Sequence, residues 1–125
     1  MRSLEWFWTA RGEMPGLDVF ERFDDAVKAA VIATFRHWAD LPHGKRASAS
    51  RINEENADPK ILAAKAGKHR FTMFHAAGET WIVHRHYPKN KNKLDKIGKA
   101  VITTTLLAIQ DYERRVKDGT YYGRS

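Results

Sequence analysis

The stretch WIVHRHYPKNKNK, residues 81 to 93, opens as a strand-like alternation and closes as a basic run. Between the two stand His84, Arg85, His86 and Tyr87. Imidazole titrates closest to neutral pH and serves as base or acid. A guanidinium matches phosphate oxygens as a fork, a lysine supplies point charge, and a phenol can stack on a splayed base or donate a proton. Together these groups could cleave RNA without a metal. In that reaction the neighbouring 2′-OH attacks the phosphodiester. One group takes its proton, cations stabilise the phosphorane-like charge, and an acid protonates the leaving 5′-oxygen.

Strand alternation puts Trp81, Val83, Arg85 and Tyr87 on one face and Ile82, His84 and His86 on the other. The two histidines are then expected side by side, about 7 Å apart along the strand. The preceding strand brings His69, Arg70 and His75, with Lys65 and Lys68 just before it. Like charges gathered so closely repel, which makes most sense if an anion joins them. The bland alternative is a wet basic face without chemistry. Zinc fits less well, because His84 and His86 have neither a cysteine nor a carboxylate close by in the sequence. A magnesium nuclease needs clustered acids, and the basic half offers none near the histidines. Asp24 and Asp25 read as a solvated helix face. There is no Gly-rich phosphate loop and no nucleophile elbow, so neither metal nor cofactor is expected.

The elements that must position these residues follow from periodicity. LEWFWT (4–9) reads as an aromatic strand and ARGEMPG (10–16) as a turn. Residues 17–40 read as one helix, with Asp18 and Glu21 as a capping box and Phe20, Phe23, Val27, Ala30, Val31, Phe35 and Trp38 on its core stripe. Residues 41–59 lose periodicity and read as a connection with one helical turn around 50–56. ILAAKA (61–66), KHRFTMFHA (68–76) and TWIVHRHY (80–87) read as strands, the last two joined by a tight turn at Gly78. Residues 93–119 read as a helix with Leu94, Ile97, Val101, Thr105, Ala108, Tyr112 and Val116 on its stripe and Gly119 as its stop. Tyr121 and Tyr122 are expected in a disordered tail, or folded back over the basic face. The order predicts an α+β fold: an antiparallel sheet of about four strands with helices packed on one face.

Composition sets the outer bounds. At 125 residues, with 42% hydrophobic content, the chain suits one folded domain, 1–125. No apolar run approaches the roughly 20 residues of a membrane span, and MRSLEWFWTA does not read as a signal peptide, so no membrane and a cytoplasmic location are expected. Without cysteine there is no disulfide framework or thiolate chemistry. The net charge of +7 is uneven, because residues 1–25 hold six acids against three arginines. The basic remainder points to a polyanionic ligand or an acidic partner.

Three stretches resemble the RelE/ParE superfamily of toxins, in its HigB-like, phage-associated branch. RGEMPGLDVFERF is similar to the turn leading from the first strand into helix one. ILAAKAGKHRFTMFHAAGETWIVHRHYPKNKNK is similar to the central strands, and KIGKAVITTTLLAIQDY to the closing helix. The resemblance implies a RelE-like fold and a toxin of a type II toxin–antitoxin pair. Such a toxin cleaves mRNA on the ribosome and is neutralised by a cognate antitoxin, here expected to present an acidic segment. Arg70 matches the strand-opening arginine, Tyr87 the aromatic at the strand end, Lys89 and Lys91 the lysines after it, and Lys65, more loosely, a basic residue on the preceding strand. The expected catalytic set is therefore His84, His86, Arg70, Tyr87 and Lys89, with Lys65, Lys68, His69, Arg85, Lys91 and Lys93 binding RNA. A topoisomerase-directed toxin and a non-catalytic RNA- or ribosome-binding module are the rival readings.

Overall fold

Pro15 lacks an N–H and so suits the first position of a helix, and α1 (Pro15–Glu21) begins there. The ladder breaks after Glu21, and Asp24 caps α2 (Asp25–Asp40) by accepting from the Val27 amide at 2.9 Å. The single helix expected over 17–40 is therefore two; Asp24 and Asp25 are exposed as expected, and Asp24 also serves as the cap. The computed structural model describes residues 1–42, 44–89 and 95–122. In chain order these helices are preceded by β1 (Ser3–Trp6) and followed by β2 (Ile52–Ala57), β3 (Lys60–Ala66), β4 (His69–His75), β5 (Thr80–Pro88) and α3 (Lys96–Lys117). Asp95 caps α3 through the Gly98 amide.

The five strands form one sheet in the order β1-β5-β4-β3-β2. Strands β2 to β5 make an antiparallel meander, and β1 pairs parallel with β5. The fold is α+β as expected, but the sheet is mixed and has one strand more. The extra strand is β2, whose sequence INEENA carries no apolar alternation; only Ile52 is buried, which suits an edge.

The helices cover both faces, not one. From α1 and α2, Phe20, Phe23, Val27, Val31, Phe35 and Trp38 meet Leu62, Ala64, Phe71, Met73 and Val83, while Ala30 is exposed. On the other face Ile102, Ala108, Ile109 and Tyr112 of α3 meet Phe7, Ile61, Phe74 and Ile82. The α3 stripe is rotated from the expected one, leaving Ile97 and Val116 exposed; Leu94 lies outside the described residues. Tyr121 is buried against Phe7, Trp8 and Tyr112, so this part of the tail folds back, but onto the β1 side rather than the basic face. Among the described residues no helix is long and apolar enough to cross a membrane.

One irregularity organises the centre. Phe71 pairs with His86 and Met73 with Val83, so β5 carries one residue more than β4 opposite Thr72. Thr72 closes this bulge, its hydroxyl accepting from the Arg85 amide at 3.2 Å. Thr105 of α3 donates its only hydroxyl proton to the Val101 carbonyl at 2.8 Å. It must then accept from Thr72 at 3.0 Å and from His84 Nδ1 at 2.8 Å. That assignment makes His84 a neutral Nδ1–H imidazole and leaves neither threonine hydroxyl unpaired. Gly16 brings α1 against the same place: a Cβ there would lie 3.1 Å from the His84 carbonyl and 3.0 Å from the Trp6 ring.

Thr105→Val strands the His84 N–H in the core and leaves the Thr72 hydroxyl only its longer contact, 3.4 Å, to the Arg85 carbonyl as an acceptor; it is expected to cost about 1–3 kcal/mol. Thr105→Ser keeps the acceptor and should cost less. Urea denaturation of both variants checks this; equal losses would show that volume, not the hydrogen bonds, matters.

Candidate functional site

The bulge overturns the expected side-by-side histidines. His84 faces α3, is 2% exposed, and meets Phe7 edge-on at 5.0 Å between ring centres. Burial, reinforced by the nearby Arg85 charge, lowers its pKa to about 3, so it stays neutral. His86 instead faces α1 and α2. Its Nε2 lies 3.0 Å from His69 Nδ1, with the Phe23 ring against both imidazoles. Burial, then the neighbouring His69, lowers the His86 pKa to about 4. His69 is also lowered, by burial and then by the charges of Lys68 and Arg70. The facing nitrogens of His69 and His86 hold one proton between them, and a second would set two N–H groups against each other.

On the α3 face, at the same end of the sheet, the register aligns Lys65 with Arg70 and Arg70 with Tyr87. Arg70 is 9% exposed; its Nη1 donates to the Gly67 carbonyl at 2.6 Å and the His69 carbonyl at 3.1 Å. Its Nε is buried without a hydrogen-bond partner. Lys65 Nζ donates to the Ala49 carbonyl at 2.8 Å. Its pKa is lowered by burial and then by the charges of Arg70 and Lys89, while Glu55 opposes. The Lys89 amide donates to the Lys68 carbonyl at 2.7 Å, tying the β5 end to the β3–β4 turn.

Six of the eleven expected residues therefore meet at one end of the sheet: Lys65, Lys68, His69, Arg70, His86 and Lys89. Tyr87 is there too but is 1% exposed, so it offers no face for a base. Burial raises its pKa, with the Glu55 carboxylate next in effect. The Tyr87 hydroxyl and Glu55 Oε1 are both shielded from solvent and lie close without a well-formed hydrogen bond. Arg85 sits in the bulge with its Nε buried. Lys91 and Lys93 lie outside the described residues. Sequence reasoning missed Glu55, the carboxylate inside this cationic group, because β2 was read as a connection.

The arrangement gathers Lys65, Arg70 and Lys89 where an anion could meet them, with the neutral imidazoles of His69 and His86 on the opposite face of the same sheet end. Among the described residues its cations outnumber its carboxylates, which disfavours a divalent ion. Among the described residues no group of three or more histidines and carboxylates could hold a metal. Compared with known proteins, the chain matches no family model and no curated sequence.

A histidine with a folded pKa below 6.5 binds fewer protons folded than unfolded. Its stabilising contribution is complete above about pH 6.5 and is lost as pH falls toward the folded value. The melting temperature should be level above pH 7 and fall from pH 6.5 to 5. Buried His84 sets an upper bound of about 1.4 kcal/mol per pH unit, and half-exposed His86 adds less because solvent screens it. A melting temperature that rises on acidification across this window would contradict the two placements.

Proposed function

We propose that the chain is a toxin of a type II toxin–antitoxin pair, resembling the HigB-like branch of the RelE/ParE superfamily. In this reading it is an mRNA endonuclease that works without a metal on translating ribosomes in the cytoplasm. The observation that carries the reading is the packing of Lys65, Arg70 and Lys89 at one sheet end, with Arg70 buried and its Nε unpartnered. Cations held this close repel, and a phosphate arriving among them relieves that repulsion. The element order, a strand, two helices, a strand meander and a closing helix, supports the resemblance to a RelE-like fold.

Proton transfer falls to Lys65 rather than to the histidines. A lysine pKa lowered from 10.5 moves toward the working range of a base, whereas histidines near 3 and 4 move away from it. As a neutral amine, Lys65 keeps an N–H on the Ala49 carbonyl and offers its lone pair to the 2′-OH. The 2′-oxygen then bonds to phosphorus, Arg70 stabilises the non-bridging oxygens, and the bond to the 5′-oxygen breaks. Lys89 donates the proton that the leaving oxygen needs. The products are a 2′,3′-cyclic phosphate and a 5′-hydroxyl. His84 holds the bulge, and Tyr87 stands opposite Arg70 in the register.

The burial of Tyr87 and His84 and the engagement of His86 with His69 favour a second reading, an RNA- or ribosome-binding module without chemistry. Purified protein added to programmed ribosomes separates the two. Lys65→Gln is expected to reduce cleavage about 10²-fold or more while reducing RNA affinity only modestly. His84→Gln should affect stability more than rate. Salt-sensitive RNA binding without any product would leave only the binding module.

A further inference from the structure

The backbone of Lys65 is fixed from two sides. Its amide donates to the Arg51 carbonyl at 2.8 Å, and its carbonyl accepts from the Thr34 hydroxyl of α2 at 2.7 Å. Its Nζ donates to the Ala49 carbonyl, which belongs to a turn leading into β2. In that turn the Arg51 and Ile52 amides both donate to the Ser48 carbonyl at 2.9 Å, and the Ser48 amide donates to His37 Nε2 of α2 at 3.3 Å. Asn53, the second residue of β2, stands opposite Ala63 in the register. Ala63 and Lys65 share a face of β3, which puts Asn53 and Lys65 in reach as diagonal neighbours. The orientation of the Asn53 carboxamide that satisfies its neighbours has Nδ2 donating to the Ala49 carbonyl at 3.1 Å and the Ile52 carbonyl at 3.3 Å. Its Oδ1 then accepts from Lys65 Nζ at 3.3 Å.

Two N–H groups of Lys65 are therefore taken, and both acceptors are neutral. Nζ is tetrahedral, so one corner remains, carrying a third proton in the ammonium and the lone pair in the amine. Among the described residues no third acceptor is hydrogen-bonded to Nζ. The charged groups facing Lys65 are Arg70 of β4, Lys89 after β5 and Glu55 of β2. A neutral carbonyl at Asn53 holds the nitrogen without adding negative charge that would keep the third proton in place. We propose that Asn53 is a positioning residue: with the Ala49 carbonyl it fixes the rotation of the Lys65 amine and turns its remaining corner toward the 2′-OH. This rests on the reading of Lys65 as the group that takes the 2′-hydroxyl proton. Asn53 itself touches no reacting atom and acts only through Lys65.

The test compares Asn53→Leu, which removes the acceptor at similar volume, with Asn53→Asp, which keeps it and adds a charge. On programmed ribosomes Asn53→Leu is expected to lower kcat about ten-fold with KM little changed, because orientation is lost while the phosphate contacts remain. Asn53→Asp is expected to move the rise of rate with pH upward by about one pH unit or more, and to regain most of the rate above it. A structural role would instead lower both variants by a factor independent of pH, and that result overturns the proposal. A second arm reads Lys65 in the full chain without RNA, by carbon-13 NMR of its Cε followed against pH and assigned with Lys65→Gln. The titration should move to higher pH in Asn53→Asp. A titration unchanged there overturns the proposal whatever the ribosomes show. Asn53→Asp is nearly isosteric, so both of its readouts stand even where the leucine variant fails to fold. Wild-type protein that cleaves nothing, with the Lys65 titration shifted as expected, removes the nuclease and upholds the grip of Asn53 on Lys65.

Discussion

The extra residue of β5 opposite Thr72 is the constraint on which the rest depends. A bulge leaves backbone groups without ladder partners, and here the Thr72 hydroxyl takes the Arg85 amide. That hydroxyl needs its own acceptor in a dry core, and Thr105 supplies it from α3 while also holding His84. Sheet and helix are thus joined by a closed set of hydrogen bonds in which each hydroxyl has a defined role. Because one residue is inserted, the side chains on either side of it point to opposite faces. His84 goes to the α3 core, and His86 goes to the junction of α1 and α2.

This separation shapes the electrostatics of the sheet end. The α3 face keeps the cations Lys65 and Arg70 with Glu55 and the buried Tyr87, and the α1/α2 face keeps the paired, neutral His69 and His86 under Phe23. Burial withholds protons from the imidazoles, and mutual repulsion adds to burial at Lys65. In the proposed reading, this cationic group is where phosphate binds, and a lysine rather than an imidazole takes the proton. The opposite sheet end is also basic, but there the guanidinium of Arg2 is locked over Trp38 and apolar edges dominate the lining. The two ends of the sheet therefore differ in how their cations are held and in what lines them.

Much of the scaffold was legible in the sequence. β3, β4 and β5 fall close to the expected strands because their apolar and β-branched residues are dense, and α3 matches the long helical stripe to within a rotation. Strand β2 was not legible, since INEENA at a sheet edge shows no alternation. The break between α1 and α2 was missed because Phe20, Phe23 and Val27 keep a helical spacing across it. At the site, the grouping of Lys65, Lys68, Arg70 and Lys89 could be read from adjacent strands. The fate of His84 and His86 could not, because a period-two argument assumes an unbroken ladder and no residue type announces the bulge. Thr72 and Thr105 were its only trace, two threonines set among core positions.

The central claim is that the 2′-OH of a ribosome-bound mRNA attacks its own phosphate at Lys65, Arg70 and Lys89. The most direct measurement is to sequence RNA ends after induced expression, with the chemistry of each end determined. The account predicts new 5′-hydroxyl ends paired with 2′,3′-cyclic phosphates inside translated codons, absent when Lys65 is replaced by glutamine. Growth arrest without new ends, or new ends bearing 5′-phosphates, would contradict it.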